Sequence, residues 1–215
     1  MIKAIIFDMD GVIIDSEGVY KKIEGEMYRD LGIEMSQEEA LMNMGMGIHN
    51  WWKKLQIKYQ LKEDPKALAD QEVQAYLDYL FDDEQEKRFM DGIGESLAAL
   101  SERGYRLGVA SGSDAAAVDR VLAISGLQEY FTARITASDV EVCKPDPEIF
   151  LKAAEALEVT PGECLVIEDS YNGILAAKAA GMGCLAYTSA PEGMVDYSLA
   201  DGRLHHHGEL IKNFL

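Results

Sequence analysis

The fold is decided by the stretch IKAIIFDMDGV, residues 2–12. Its first six residues are mostly apolar and β-branched, and they run directly into Asp8, Asp10 and Gly11. A short apolar run bounded by turn residues is typical of a fully buried strand. Two carboxylates one residue apart would then stand at the strand's end, where Gly11 permits a sharp turn. The stretch predicts a buried strand that presents Asp8 and Asp10 at the edge of a sheet, although a D-x-D pattern alone also suits a solvated turn.

Further apolar runs alternate with segments of helical periodicity in the second half of the chain. The predicted strands cover residues 106–110, 164–167, 183–187 and 202–204, and the predicted helices cover residues 114–124 and 172–180. Strands that alternate with helices predict right-handed crossovers and a parallel sheet. We therefore expect an α/β fold, a doubly wound, Rossmann-like parallel sheet whose ligands bind beyond the carboxyl ends of the strands.

The stretch between the first strand and about residue 87 breaks this alternation. It contains segments with helical periodicity and no convincing strand, at residues 19–31, 37–44, 49–60 and 65–81. Pro65 supports a helix start, because its fixed φ suits the first turn. We expect residues 16–87 to form an inserted all-α cap domain, and residues 1–15 with 88–215 to form the catalytic core.

The composition indicates a soluble globular protein with a strongly acidic surface. The 38 acidic residues against 20 basic ones give a formal net charge of −18 over 215 residues. This charge repels nucleic acid and anionic membranes, so neither is an expected partner. It also repels phosphorylated substrates, so an anion site would need a local cation or backbone amides. With no apolar run long enough for a membrane span or a signal peptide, a cytoplasmic location is expected.

Polar side chains follow several of the predicted strands. Ser111, Gly112 and Ser113 come after residues 106–110 and offer hydroxyl and amide groups for phosphate oxygens at a helix start. Lys144 can balance carboxylates and phosphate. Glu168 and Asp169 end the strand at 164–167 and are hard oxygen ligands of the kind that Mg²⁺ prefers. Each fragment alone also fits a cap, a surface lysine or an acidic loop; their joint occurrence in this order indicates an active site.

With these motifs in place, the chain resembles the haloacid dehalogenase superfamily, in its β-phosphoglucomutase-like phosphatase branch with a helical cap. The most specific segments are residues 7–17, 144–147 and 168–170. The resemblance implies that Asp8 attacks phosphorus and forms an aspartyl-phosphate. It implies that Asp10 protonates the leaving oxygen and then activates water, while Ser111 and Lys144 hold the phosphoryl group.

The resemblance also implies a magnesium cofactor. Its ligands would be the Asp8 carboxylate, the Asp10 backbone carbonyl and Asp169, with Glu168 bound directly or through water. The dehalogenases of this fold need no metal and lack the second acid of the D-x-D pair. Because Asp10 is present beside Glu168 and Asp169, we expect a phosphatase and not a dehalogenase.

The cap loop at residues 44–49 is the expected contact with substrate. Its glycines would allow a close approach of Gly45, Met46, Gly47 and His49 to the ligand, together with Gly112 of the core. An ordinary turn between helices that does not touch substrate is the alternative. One of the adjacent tryptophans, Trp51 and Trp52, could line the pocket, although such pairs more often divide between core and surface.

The same loop distinguishes a phosphatase from a sugar-phosphate mutase. Mutases of this branch usually carry an arginine shortly after the cap-loop glycine and a histidine near position 20, where this chain has Ile48 and Tyr20. We therefore favour hydrolysis of a small phosphorylated metabolite, a sugar phosphate or similar monoester, over a β-phosphoglucomutase-type reaction. A non-catalytic relative is disfavoured because the nucleophile and the acidic ligands are intact.

Two further features carry no predicted chemistry. The cysteines at positions 143, 164 and 184 have no CxxC spacing, and inert thiols are expected. His205, His206 and His207 are expected at a solvated helix start, with a transition-metal site as the alternative. The protein is expected to be a monomer or a weak homodimer.

Overall fold

A parallel β-sheet forms the centre of the protein in the computed structural model, which describes residues 1–36, 39–40, 46–188 and 193–214. In these residues the sheet has six strands, in the order β3-β2-β1-β4-β5-β6, and every neighbouring pair is parallel. The strands are β1 (Ala4–Phe7), β2 (Arg106–Ala110), β3 (Ala133–Ile135), β4 (Cys164–Glu168), β5 (Gly183–Tyr187) and β6 (Gly202–Leu204). The chain reverses its winding direction beside β1, so a crevice is expected at the carboxyl ends of β1, β2 and β4.

Helices cover both faces of the sheet and bury β1 on both sides. Alternate residues of a strand point to opposite faces. Ile5 and Phe7 belong to one apolar cluster, with α4 (Ile93–Glu102), α5 (Ala115–Ser125) and α8 (Gly208–Asn213). Ala4 and Ile6 belong to another, with α6 (Glu148–Ala156) and α7 (Tyr171–Ala179). The predicted α/β, doubly wound parallel fold is confirmed.

Three helices follow β1 and pack around an apolar cluster of their own. They are α1 (Glu17–Leu31), α2 (Ile48–Tyr59) and α3 (Pro65–Phe81). Their shared cluster contains Met27, Tyr28, Ile33, Trp51, Trp52, Leu55, Leu68 and Ala69. The start of α3 is fixed as expected, with Pro65 in the first turn and the Asp64 side chain accepting from the backbone N–H of Ala67 at 3.3 Å. Both tryptophans are buried, so they do not divide between core and surface.

Some elements differ from the sequence-based predictions. The short strand β3 and the helix α4 lack a predicted counterpart; a strand of three residues carries little periodic signal, whereas the ten residues of α4 were overlooked. The helix predicted at residues 37–44 falls largely outside the described residues. In the part of the chain that the structure describes, no helix is both long and apolar enough to cross a membrane.

His207 overturns the expectation of a solvated helix start. Its neighbours His205 and His206 are exposed, but His207 is fully buried just before α8. Its Nε2 lies 2.7 Å from the Val12 carbonyl oxygen, and its ring stacks on Tyr187 with centroids 4.5 Å apart. Because a carbonyl can only accept, Nε2 carries the proton and donates it. His207 thus ties the end of the chain to the loop that follows Asp10.

Burial also determines the charge of His207. Its Nδ1 is buried and has no hydrogen-bond partner among the described residues, so an added proton there would be unsatisfied. Burial lowers the pKa of His207 to about 4, although the hydrogen bond to Val12 opposes this change. The native protein therefore keeps this imidazole neutral at pH values where an unfolded histidine is protonated.

We expect this difference to make stability depend on pH. Between about pH 6.5 and about pH 4 the unfolded chain binds one proton more at this position than the native chain does. Acidification through that window should lower the free energy of unfolding by up to about 3 kcal/mol, and the contribution is fully present above about pH 6.5.

Urea unfolding of wild type and His207→Gln across this pH range measures the effect. The glutamine amide can still donate to Val12 but does not titrate, so the difference in stability between the two proteins should shrink as the pH falls. His49→Gln, on the exposed face of α2, is the matched control and should retain the wild-type pH dependence. Parallel curves for wild type and His207→Gln would contradict the assignment.

Candidate active site

Asp8 lies at the carboxyl edge of the sheet, directly after β1. Its backbone N–H donates to the Ile167 carbonyl oxygen at 2.9 Å, which continues the ladder between β1 and β4 by one residue. The residue is only 6% exposed. The sheet register therefore holds the Asp8 carboxylate at the mouth of the crevice between β2 and β4.

Lys144 neutralises part of this edge. Its ammonium group is 2% exposed and lies 2.5 Å from Asp8 Oδ1, 2.8 Å from Glu168 Oε1 and 3.2 Å from the Ala110 carbonyl oxygen. These partners stand at the ends of β1, β4 and β2 respectively. The three protons of one ammonium group are thus shared among three neighbouring strands.

Glu168 is held from its other side by the start of α7. Its Oε2 accepts from the Ser170 backbone N–H at 2.6 Å and from Ser170 Oγ at 2.9 Å. A Cβ at Gly173 would collide with this carboxylate, so the glycine is needed for the close approach of the helix. Both oxygens of Glu168 are engaged, and its visible role is to position Lys144.

Asp10 is surrounded by hydroxyl groups. Ser113 Oγ donates to Oδ2 at 2.6 Å, while Ser16 Oγ and the Tyr76 hydroxyl donate to Oδ1 at 2.7 and 3.3 Å. Burial raises the pKa of Asp10, against the lowering effect of these hydrogen bonds. A carboxyl group with a raised pKa is suited to give and take a proton near neutral pH.

Asp169 lies over the backbone of the D-x-D turn. Gly11 has φ of 75°, and a Cβ there would collide with the Asp169 carboxylate. Any other residue at Gly11 would therefore be strained and would displace Asp169. Burial, and then the charges of Glu168 and Asp8, raise the pKa of Asp169 well above its usual value.

The edge of the sheet carries an excess of negative charge. Burial raises the pKa of Asp8 to about 8, although Lys144 opposes this, and Glu168 and Asp10 raise it further. Burial by itself would lower the pKa of Lys144, but Asp8 and Glu168 outweigh it and raise that pKa. One ammonium group faces the carboxyl groups of Asp8, Asp10, Glu168 and Asp169, so an added divalent cation would relieve their repulsion.

The donors present fit Mg²⁺. Within the described residues, no group of three or more acidic, histidine or cysteine side chains forms a ready-made metal cage. Mg²⁺ rarely uses such cages, and it binds through one or two carboxylates completed by water and substrate phosphate. Asp8 and Asp169 at this edge, together with the Asp10 backbone carbonyl, are oxygen donors of the kind that Mg²⁺ prefers.

A cavity of about 220 Å³ lies between this edge and the helices α1 to α3. Residues of the core and of the three helices share its wall: Asp8, Asp10, Gly11, Ser16, Glu17, Tyr20, Lys21, Glu24, Ala40, Met46, Ile48, Trp51, Glu72, Gly112, Ser113, Lys144, Glu168, Asp169 and Ser170. The structure thus brings Asp8, Asp10, Lys144, Glu168 and Asp169 to one cavity with Gly112 and Met46.

Other predicted site residues do not line this cavity. Ser111 is buried, and its hydroxyl accepts from the Ser113 backbone N–H at 3.1 Å. Gly47 packs against Cys143, and His49 is exposed on α2. Gly45 lies outside the described residues.

Sequence reasoning missed the hydroxyl groups around Asp10. Ser16 lies within the first motif and Ser113 beside Ser111, so both could have been noticed. Tyr76 comes from α3, 66 residues after Asp10, and no local pattern connects the two. Tyr20 stacks on Tyr76 with ring centroids 4.5 Å apart, and its hydroxyl lies 3.5 Å from Ser113 Oγ.

Comparison with known proteins agrees with this geometry. The model of the haloacid dehalogenase-like hydrolases matches residues 2–181. Hexitol phosphatase B of Escherichia coli K12 is 30% identical over 210 residues, which cover 94% of this chain and 91% of that enzyme. Fructose-1-phosphate phosphatase YqaB of the same strain is 34% identical over 182 residues, 83% of this chain and 92% of that enzyme. The crystal structure of CbbY from Rhodobacter sphaeroides in complex with phosphate is 25% identical, with a TM-score of 0.81 over 98% of this chain and 96% of that chain. This chain therefore belongs to the haloacid dehalogenase-like hydrolase family.

Proposed function

We propose that the protein is a magnesium-dependent phosphatase that hydrolyses a small phosphorylated metabolite, a sugar phosphate or similar monoester, through an aspartyl-phosphate on Asp8. The observation that carries the proposal is the pairing of Asp8 with Asp10 at one cavity. Asp8 is bridged to Lys144, while Asp10 is held apart by three hydroxyl groups. Two carboxyl groups in such different surroundings suit two different roles.

In the first step Asp8 acts as the nucleophile. A bond forms between one of its carboxylate oxygens and phosphorus, while the bond from phosphorus to the leaving oxygen breaks. Asp10 gives its proton to that oxygen, so the alcohol departs uncharged. Lys144 and the backbone at Gly112, which both line the cavity, balance the negative charge of the transferring phosphoryl group.

In the second step Asp10 acts as a base. Its carboxylate takes a proton from a water molecule as the water oxygen attacks phosphorus. The bond between phosphorus and Asp8 breaks, which restores the Asp8 carboxylate and releases inorganic phosphate. The hydroxyls of Ser16, Ser113 and Tyr76 keep Asp10 oriented in both protonation states, since each can donate a hydrogen bond to the carboxylate and accept one from the protonated carboxyl group.

Magnesium, when bound, neutralises the repulsion between a carboxylate nucleophile and an anionic phosphate. Asp8, Asp169 and the Asp10 carbonyl would hold it, and Glu168 would act through water or through Lys144. We further propose that residues 16–87 serve as the cap that excludes water, with residues 1–15 and 88–215 as the core.

One observation supports the substrate class and another supports the type of reaction. The relatives above are named for hexitol and fructose 1-phosphate hydrolysis, which supports a sugar-phosphate substrate for this chain. Ile48 lines the cavity where an arginine would grip a second phosphate in a mutase. Hydrolysis of a monophosphate is therefore favoured over a mutase reaction that passes through a bisphosphate intermediate.

Replacing the nucleophile tests the proposal directly. Asp8→Asn should lower phosphate release by at least about 10³-fold, because an amide cannot attack phosphorus. Asp10→Asn should lower it by about 10² to 10⁴-fold through loss of proton transfer. Phosphate release is measured with and without magnesium, beside thermal melting curves. Near-normal turnover by a folded Asp8→Asn protein would remove Asp8 from this role.

Metal removal provides the second test. Excess chelator should abolish phosphate release, and added Mg²⁺ should restore it. Asp169→Ala should weaken apparent magnesium affinity by more than about 10-fold, and by more than Glu168→Ala does, because Glu168 is already engaged by Lys144 and Ser170. Undiminished turnover in chelator would disprove the metal requirement.

The choice between phosphatase and mutase is tested with β-glucose 1-phosphate and a catalytic amount of hexose bisphosphate. Free phosphate should appear faster than glucose 6-phosphate, because Ile48 supplies no charge for a second phosphate. Faster formation of glucose 6-phosphate would reverse the assignment.

A further inference from the structure

Two glutamates form part of the cavity wall opposite the catalytic carboxylates. Glu24 comes from α1 and Glu72 from α3, and both line the same cavity as Asp8 and Lys144. Glu72 is only 1% exposed, and Glu24 is partly buried. Neither has a part in the two chemical steps, so their burial beside the reaction centre calls for another explanation.

Helical spacing relates the two glutamates to the tyrosines beside Asp10. Glu24 follows Tyr20 by four residues on α1, and Glu72 precedes Tyr76 by four residues on α3, so each glutamate shares a helix face with its tyrosine. The two tyrosines stack on each other, and Tyr76 donates to Asp10. Each glutamate thus lies one helical turn, about 5.4 Å along its helix, from its tyrosine and on the wall of the same cavity. The carbon skeleton of a leaving group would extend into this space.

The glutamates are fixed by the aromatic residues of the cap. Trp52 Nε1 donates to Glu72 Oε2 at 2.5 Å. Trp51 Nε1 donates to the Tyr28 hydroxyl at 2.8 Å, and that hydroxyl is hydrogen-bonded in turn with the Glu24 carboxyl group. Among the described residues, Trp52 donates to Oε2 of Glu72, which leaves Oε1 for a ligand in the cavity. These carboxyl groups are preorganised and only partly satisfied.

We propose that Glu24 and Glu72 are the specificity-determining residues of this cavity and that they hydrogen-bond the hydroxyl groups of an uncharged leaving group, so that the substrate is the monophosphate of a polyol or sugar. This inference rests on the proposed phosphatase function and specifies its substrate class. A leaving group that carries a carboxylate or a second phosphate would be repelled by the same pair.

Protonation favours hydroxyl groups over an ammonium group as the partner. Burial raises the pKa of Glu72 to about 8, with a further rise from Glu24, and burial raises the pKa of Glu24 to about 7. Near neutral pH this pair therefore offers donors as well as acceptors. A hydroxyl group both donates and accepts, whereas an ammonium group only donates. The nearest lysine of the lining, Lys21, is paired with Glu17 at 2.6 Å and does not offset the pair's charge.

The test uses Glu24→Gln and Glu72→Gln in the full chain, with magnesium present. The substrates are sorbitol 6-phosphate, p-nitrophenyl phosphate, 2-phosphoglycolate and phosphoethanolamine. Each variant should raise KM for sorbitol 6-phosphate by about 10-fold with little change in kcat, because an amide N–H replaces a carboxyl oxygen that accepts a hydrogen bond from the leaving group. Turnover of p-nitrophenyl phosphate, whose leaving group has no hydroxyl groups in that space, should stay within about twofold. Activity on 2-phosphoglycolate relative to sorbitol 6-phosphate should rise.

Glu26→Gln is the matched control, because Glu26 lies on the same helix but is exposed and does not line the cavity. It should leave all four activities unchanged. An equal loss on sorbitol 6-phosphate and p-nitrophenyl phosphate in the two cavity variants would show a merely structural role and overturn the inference.

The wild-type protein gives an independent readout that needs no variant to fold. Preference for 2-phosphoglycolate or phosphoethanolamine over sorbitol 6-phosphate would overturn the inference while leaving a phosphatase in place. Absence of phosphate release from p-nitrophenyl phosphate and from the other three substrates would instead overturn the proposed function itself.

Discussion

The active site depends on one ammonium group shared by three strand ends. Lys144 is nearly fully buried, and burial of a charge is costly unless it is paired and hydrogen-bonded. Here each of its protons has an oxygen partner, on Asp8, on Glu168 and on the backbone of β2. The same contacts that satisfy the lysine hold Asp8, the proposed nucleophile, beside Glu168 at the sheet edge. Loss of the lysine would leave several buried carboxylates to repel one another.

The sequence placed Asp8 and Asp169 at the sheet edge because apolar runs mark strands, and because the carboxyl ends of parallel strands share one edge. Ser111 follows β2 in the same way but does not line the cavity. Lys144 follows no strand, and its role came from the resemblance of its motif. Groups supplied by the helices of the cap could not be identified in this way. Tyr76 reaches Asp10 across 66 residues, and such a contact depends on how α3 packs and on no local pattern. His207 was misjudged for a similar reason, because its carbonyl partner lies 195 residues away.

Chemistry and recognition are divided between the two sides of the cavity. The sheet edge carries the groups that are proposed to act on phosphorus, and these are fixed by strand register and by backbone hydrogen bonds. The opposite wall is made of side chains from α1 and α3, which are fixed by aromatic packing and indole N–H groups. A substitution on the helices can therefore change the leaving group that fits without moving Asp8 or Lys144. This separation is a physical basis for varied substrates on one catalytic core.

The contact between His207 and Val12 has a consequence for biosynthesis. Translation delivers every residue proposed for catalysis by the time Asp169 has been added, and the segment matched by the family model is complete at residue 181. At that stage the loop that bears Asp10 still lacks its partner imidazole, and β5 and β6, with the stacking ring of Tyr187, are absent too. A nascent chain thus contains the full set of reactive groups before it contains the residue that secures their loop.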